Sequence, residues 1–251
     1  MFLESANITR PRDMCGKTIS YPGSPGPGGP AIVQTMVEAD GGSCELSSYG
    51  KHNGGFYHTK ALQEGAADVA TLIFYNFEVI EARGLGLRPD FFSLKDWGVP
   101  DFCQLVLFST PQRIEELRPQ LRALVLAMRR ATGLIHREPQ RAARIYDEHL
   151  KATAAAEPPP AHGARPLLAK LKAGLKAAAA TLNPLAATRR RAQRKTDAAT
   201  MAATLPAFPN DNSLSATYYE GLMAWLVKTG QVTASAAEVP PSQYWTNSVA
   251  L

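Results

Sequence analysis

Two stretches of the chain hold residue types that could meet a ligand. The first, Tyr21-Pro22-Gly23-Ser24-Pro25-Gly26-Pro27-Gly28-Gly29-Pro30, joins an apolar strand to the start of a helix. A helix N-terminus leaves backbone N–H groups unpaired and carries partial positive charge, so such a turn can hold an anion. No Lys-Ser/Thr follows the glycines, so this is not a P-loop, and Pro25, Pro27 and Pro30 remove donors. Composition alone favours a rigid connecting loop.

The second stretch is Phe74-Tyr75-Asn76-Phe77-Glu78, directly after the apolar run that ends near Ile73. In open α/β sheets ligands bind outside the carboxyl ends of the strands. Two polar groups among three aromatics suit a flat heterocycle: rings stack, and the Glu78 carboxylate accepts from an exocyclic amine. A helix N-terminus with a dipole-favourable Glu fits the same residues equally well.

The histidines form no catalytic set. His52 and His58 flank Asn53-Gly54-Gly55-Phe56, where either could reach the strand-end surface, whereas His136, His149 and His162 fall on or after a helical tail. The sequence holds no HExxH, CxxC or GxSxG. Cys15, Cys44 and Cys103 are odd in number and widely spaced, which fits reduced thiols better than a disulfide framework.

The elements that must position these residues alternate strand and helix. Strands are expected at Lys17 to Tyr21, weakly at Leu46 to Tyr49, at Asp68 to Leu72 and at Phe91 to Leu94. Helices are expected after Pro30 up to Gly41-Gly42, at Phe56 to Gln63 and at Tyr75 to Ala82. This alternation indicates an α/β unit with a mainly parallel sheet. Gln104 to Ser109 (QLVLFS) reads as a strand buried on both faces. Helices follow at Gln112 to Leu117, Pro119 to His136 and Gln140 to Leu150, and Ser213 is a plausible N-cap for a last helix carrying Trp225.

The net charge is +5, but residues 151–200 carry ten basic against two acidic residues. That surplus of eight leaves the rest of the chain at minus three, so no general nucleic-acid surface is expected. Lys151 to Leu182 is rich in Ala, Lys and Pro and reads as a solvated insertion. No apolar run approaches the ~18 residues of a membrane span, and Met1 to Arg10 lacks the features of a signal peptide. A cytoplasmic location is the expectation that follows.

The ordered string Asp13-Met14-Cys15-Gly16-Lys17-Thr18-Ile19-Ser20-Tyr21-Pro22-Gly23 resembles the opening of the second lobe of type II periplasmic binding proteins. The branch it resembles binds alkanesulfonates or thiamine pyrimidine precursors. Ala31 to Met36, Asn53 to Phe56, Ala61 to Asp68, Asn76-Phe77-Glu78 and Trp97-Gly98-Val99-Pro100 continue the likeness, as do Leu205 to Phe208 and Ala224 to Leu226. The likeness spans residues 10–150 and 183–232 and leaves 151–182 as an insertion.

The resemblance implies one α/β ligand-binding lobe at 10–95, preceded by a tail at 1–9. It implies a return strand and helices of the other lobe at 96–150, and C-terminal helices and a tail at 183–251. It also implies that most of the first lobe lies outside this chain, to be supplied by an upstream exon, a longer transcript or a second chain, that the partners include a second chain or a homodimer, and that QLVLFS lacks its partners. The implied function is binding of a hydroxymethylpyrimidine-type ligand through Tyr21, Gly23 and Ser24 at the anion-facing turn and Asn76 and Glu78 at the ring edge. The alternatives are a thiamine pyrimidine synthase-like enzyme and a sulfonate or flavin binder. Pyridoxal phosphate would enter only with the synthase and a supplied first lobe, because the lysine and histidine that use it belong to that lobe in the relatives.

Overall fold

A computed structural model of the chain describes residues 1–24, 26–103, 105–156, 197–209 and 213–249. It divides into two units, 1–129 with 211–251, and 130–210.

The first unit is built on a five-stranded mixed sheet in the order β3-β2-β4-β1-β5. β1 is Phe2–Leu3, β2 Thr18–Ser20, β3 Gly50–His52, β4 Val69–Ala70 and β5 Pro89–Asp90. β2 runs parallel to β3 and β4, with Ile19 opposite Lys51 and Val69. β1 runs antiparallel to β4 and β5, placing Phe2 opposite both Val69 and Asp90. Residues expected to form a tail thus supply an inner strand. A two-residue strand has no periodicity to reveal it, and partners from 67 residues away define it.

Side chains alternate across the pleat and divide the core in two. On one face Phe2, Ile19 and Val69 pack with Ile32, Val33, Met36 and Val37 of α1 (Gly28–Ala39). On the other, Ala70 packs with Ala61 and Leu62 of α2 (His58–Gln63) and with Val79. α3 (Ile80–Gly84) follows a π-type turn at Tyr75–Val79.

α1 ends at Asp40, whose side chain is almost fully buried and holds the segment that leads into β2. Arg10 grips the carboxylate with two bonds, Nε to Oδ2 at 2.8 Å and Nη2 to Oδ1 at 2.6 Å, and the Arg12 backbone N–H adds a third at 3.0 Å. These donors hold the Asp40 carboxyl well below the usual carboxylate range, with the Arg10 hydrogen bonds first among the causes.

The same apposition brings Cys15 and Cys44 together as a disulfide, with Cα atoms 5.7 Å apart, and leaves Cys103 free and exposed. This corrects the expectation of three reduced thiols. Twenty-nine residues separate the pair in sequence, and only the return of α1 past the segment before β2 makes them neighbours.

Several expected strands are displaced or lost. Leu46–Ser48 is a 3-10 turn and the pairing moves on to Gly50–His52, while β5 forms at Pro89–Asp90, just before the predicted Phe91. QLVLFS is no strand among its described residues: Leu105 is 83% exposed and Phe108 94%. Its apolar run met the requirement for a buried strand, but it pairs with neither edge strand of the sheet, β3 or β5.

Three helices follow, α4 (Pro111–Glu116), α5 (Arg118–Arg137) and α6 (Pro139–Ala156). Helix α7 covers 197–204 and α8 is Ala216–Lys228. Ser215, not Ser213, caps α8, accepting from the Tyr218 N–H at 3.1 Å. Within the first unit, Trp225 of α8 donates to Thr35 of α1 at 3.0 Å. In the second unit α6 follows the end of α5, and His136 meets the Phe208 carbonyl at 3.1 Å. Most of the Ala/Lys/Pro-rich insertion, including Leu167 to Leu175, and the basic run Arg189 to Lys195 lie outside the described residues.

Two outcomes test these constraints. Alkylation without reductant should titrate one thiol, Cys103, and reduction should lower the denaturant midpoint by an amount equivalent to about 3–4 kcal/mol on loop-entropy grounds. Asp40 has a folded pKa below its unfolded one, so its stabilisation is complete above about pH 4 and fades as pH falls through the folded value. Asp40→Asn should lower the melting temperature at neutral pH and flatten that acid dependence in thermal scans.

Candidate functional site

The carboxyl ends of the three parallel strands all open onto one edge of the sheet. β2 leads into the loop from Tyr21, β3 into Asn53 to Tyr57, and β4 into Thr71 to Phe74. Ladder bonds continue one residue past the strands: the Tyr21 N–H reaches the His52 carbonyl at 3.3 Å, and the Thr71 N–H reaches the Ser20 carbonyl at 3.0 Å. The three loops are therefore neighbours because their strands are.

Tyr21 is the post of the first loop. Its ring is buried, its hydroxyl donates to the Gly26 carbonyl, and the Gly26 N–H closes a turn on the Gly23 carbonyl at 3.0 Å. Gly23 is exposed and has φ +80°, a left-handed conformation that a side chain would strain. Ser24 is half-buried beside it. α1 starts with Pro27 at its N-cap and no side-chain cap, so the first backbone donors face this loop without a protein oxygen from the cap. Gly29 lies so close to Tyr21 that a Cβ there would fall 2.4 Å from the ring. The tyrosine thus acts as the support of a turn whose exposed surface is Gly23 and Ser24.

Asn76 and Glu78 occupy the π-type turn after β4. Asn76 is buried and Glu78 half-buried, with Glu78 Oε2 accepting from the Phe74 N–H at 2.9 Å. Burial pushes the Glu78 carboxyl above its ordinary pKa, and the Phe74 bond opposes that shift. Glu78 thus caps its own turn, which follows directly on the carboxyl end of β4. Single-turn π segments of this kind are frequent at functional sites.

The two groups of predicted residues follow adjacent parallel strands, which places them along the same edge. His58 is not on that edge, contrary to expectation. It is fully buried, with Nδ1 3.3 Å from the Ser20 hydroxyl and Nε2 without a hydrogen-bond partner among the described residues. Burial lowers its pKa. Its position at the first turn of α2 turns it inward, while His52 stays half-buried at the end of β3.

Four aromatic side chains stand exposed on this edge. Phe56 and Tyr57 follow β3 and are 71% and 76% exposed, and Tyr75 and Phe77 follow β4. The aromatic pair Phe56-Tyr57 was visible beside the Asn-Gly-Gly turn, but nothing local fixed its exposure. Leu72, φ +59°, was also missed: a left-handed non-glycine residue directly after the last ladder bond of β4. Such strain persists only where the surroundings enforce it, and it clusters at ligand-binding turns. Behind this turn lies an apolar cavity of about 310 Å³, and none of Tyr21, Gly23, Ser24, Asn76 and Glu78 lines it. No helix among the described residues is long and apolar enough to cross a membrane, and none of their acidic, histidine and cysteine side chains cluster as a metal site.

A family profile described as NMT1/THI5 like matches residues 1–142, and the chain belongs to that family. Among curated proteins it is 35% identical over 118 residues to a formylaminopyrimidine-binding protein of Halalkalibacterium halodurans. That match takes in 46% of this chain and 34% of the relative, so the chain spans about a third of the relative's length.

Gly29→Ala tests the support of the first loop. In an open helix the change gains roughly 1 kcal/mol. Here the added carbon meets a ring fixed at both ends, so a net loss of about 1–3 kcal/mol in a denaturant titration is expected.

Proposed function

We propose that the chain binds a thiamine-type pyrimidine precursor at the carboxyl edge of its parallel strands. The observation that carries this reading is the company Glu78 and Asn76 keep: a half-buried carboxylate and a buried amide on one turn, flanked by exposed Tyr75 and Phe77 and, after β3, by Phe56 and Tyr57. Aromatic faces stack on a planar ring, the carboxylate accepts from its exocyclic amine, and the amide both donates and accepts. Gly23, Ser24 and the uncapped start of α1 offer donors to an anionic or strongly polar substituent. The likeness to a protein named for binding a formylaminopyrimidine supports the same ligand class.

In this reading residues 10–95 form one lobe of a type II periplasmic-binding-protein-like fold, and residues 96–150 belong with the other lobe. The second face of the ligand then comes from a lobe outside this chain. Leu105 to Phe108, apolar and unpaired, belong to the surface that meets it.

Calorimetric titration with formylaminopyrimidine and hydroxymethylpyrimidine tests the assignment. Glu78→Gln keeps the size and loses the charge, so affinity should fall by about 1–2 kcal/mol, roughly 5- to 30-fold. Because burial raises the Glu78 pKa, its charge is lost at higher pH than that of an ordinary glutamate. Wild-type affinity should weaken on acidification, and the Gln variant should lack that part of the dependence. Equal affinity of the two proteins would remove Glu78 from the site, and binding of an alkanesulfonate or flavin alone would overturn the pyrimidine reading.

A further inference from the structure

The cavity behind the β4 turn shares Thr71 to Ile73 and Tyr75 with the strand-end edge, but Asn76, Glu78 and the Tyr21 loop take no part in its lining. It measures about 310 Å³ and is walled by α1, the inner strands β1 and β4, the turn after β4 and the segment 91–94. No charged side chain lines it, and its only side-chain hydroxyl groups other than that of Tyr75 belong to Thr71 and Ser93. Its aromatic wall is already ordered: Phe2 and Phe92 are 4.9 Å apart and tilted by 45°, and Tyr75 and Phe91 lie 5.9 Å apart and nearly parallel at 17°.

The pocket is open on one side, where Tyr75 stands exposed, so a small molecule can reach its apolar walls from solvent. A dry apolar cavity of roughly 150 Å³ takes up benzene. Twice that volume suits a molecule of one or two fused rings, and small-molecule pockets begin near about 300 Å³. Two further features point to an occupant. Leu72, one of the lining residues, is held at φ +59°, and the buried Thr71 hydroxyl in the same wall has no hydrogen-bond partner among the described residues. Both are costs that a fold without a guest would have no reason to keep.

We infer that this cavity is a second ligand site, for a small, neutral, planar molecule of one or two rings with at most one polar atom. Met14 and Met36 line it on the α1 side, and the soft, unbranched methionine side chain adapts to guests of differing outline. The strand-end edge selects by polar contacts with Asn76 and Glu78, whereas this site selects by shape and by the absence of charge.

The test uses the full chain labelled with ¹³C at the methionine methyl groups and titrated with indole. The expected result is a saturable shift of the signals of the lining methionines Met1, Met14 and Met36, with Met128, Met201 and Met223 unmoved. Ile73→Trp, which fills the cavity from its half-buried rim, should weaken indole binding at least tenfold, while Glu78→Gln should leave it unchanged. Absence of a saturable shift at Met1, Met14 and Met36, or equal shifts at all these methionines, overturns the inference. So does a loss of indole binding in Glu78→Gln, which would make the two sites one. Failure of the pyrimidine titration leaves this test unaffected, because the wild-type methionine signals decide it alone.

Discussion

The contact between the Tyr21 ring and the backbone of Gly29 governs the architecture around the site. It brings the start of α1 against the end of β2 and fixes where the intervening loop must turn. The Tyr21 hydroxyl then closes the loop on Gly26, which leaves Gly23 and Ser24 outward. At its far end α1 is held by the Asp40 carboxylate and the Cys15–Cys44 bond. A helix fixed at both ends gives the sheet a stiff back, and the Val33 and Met36 side chains then stand over β4 at a set height.

The loops after β2, β3 and β4 need no contact with one another to cooperate. Parallel pairing brings their starting points into line, and each contributes a different chemistry: backbone donors from the first, exposed rings from the second, a carboxylate and an amide from the third. Sites of this kind tolerate change in the loops so long as the ladder beneath them holds, and the ladder here is only two or three residues deep.

Much of this was legible in the residues. Pro30 and Gly41 bracket α1 because one suits the first turn and the other the left-handed exit. Apolar runs located β2 and β4, and Asn76 and Glu78 could be placed at a strand end from the run before them. What escaped were features decided by distant partners. β1 is two residues long and known only by its pairing with Val69 and Asp90. His58 turns inward because Ser20 waits behind the strand, and Cys15 meets Cys44 because two Arg–Asp contacts bring their segments together. QLVLFS failed for the opposite reason: its pattern was right for a strand, but neither edge of the sheet takes it up.

The place of β1 in the sheet also sets an order of events during folding. Phe2 is made before its neighbour Val69, which lies 67 positions further along, and the strand sits between two others in the finished sheet. The β2–α1–β3 segment and then β4 can assemble through closures of shorter range. β1 can dock only after β4 and β5 have emerged from the ribosome, so its apolar side chains wait exposed while the rest collects. A chain arranged in this way pays its largest loop-closure entropy last, and the rate of that final insertion should govern how quickly the sheet becomes whole.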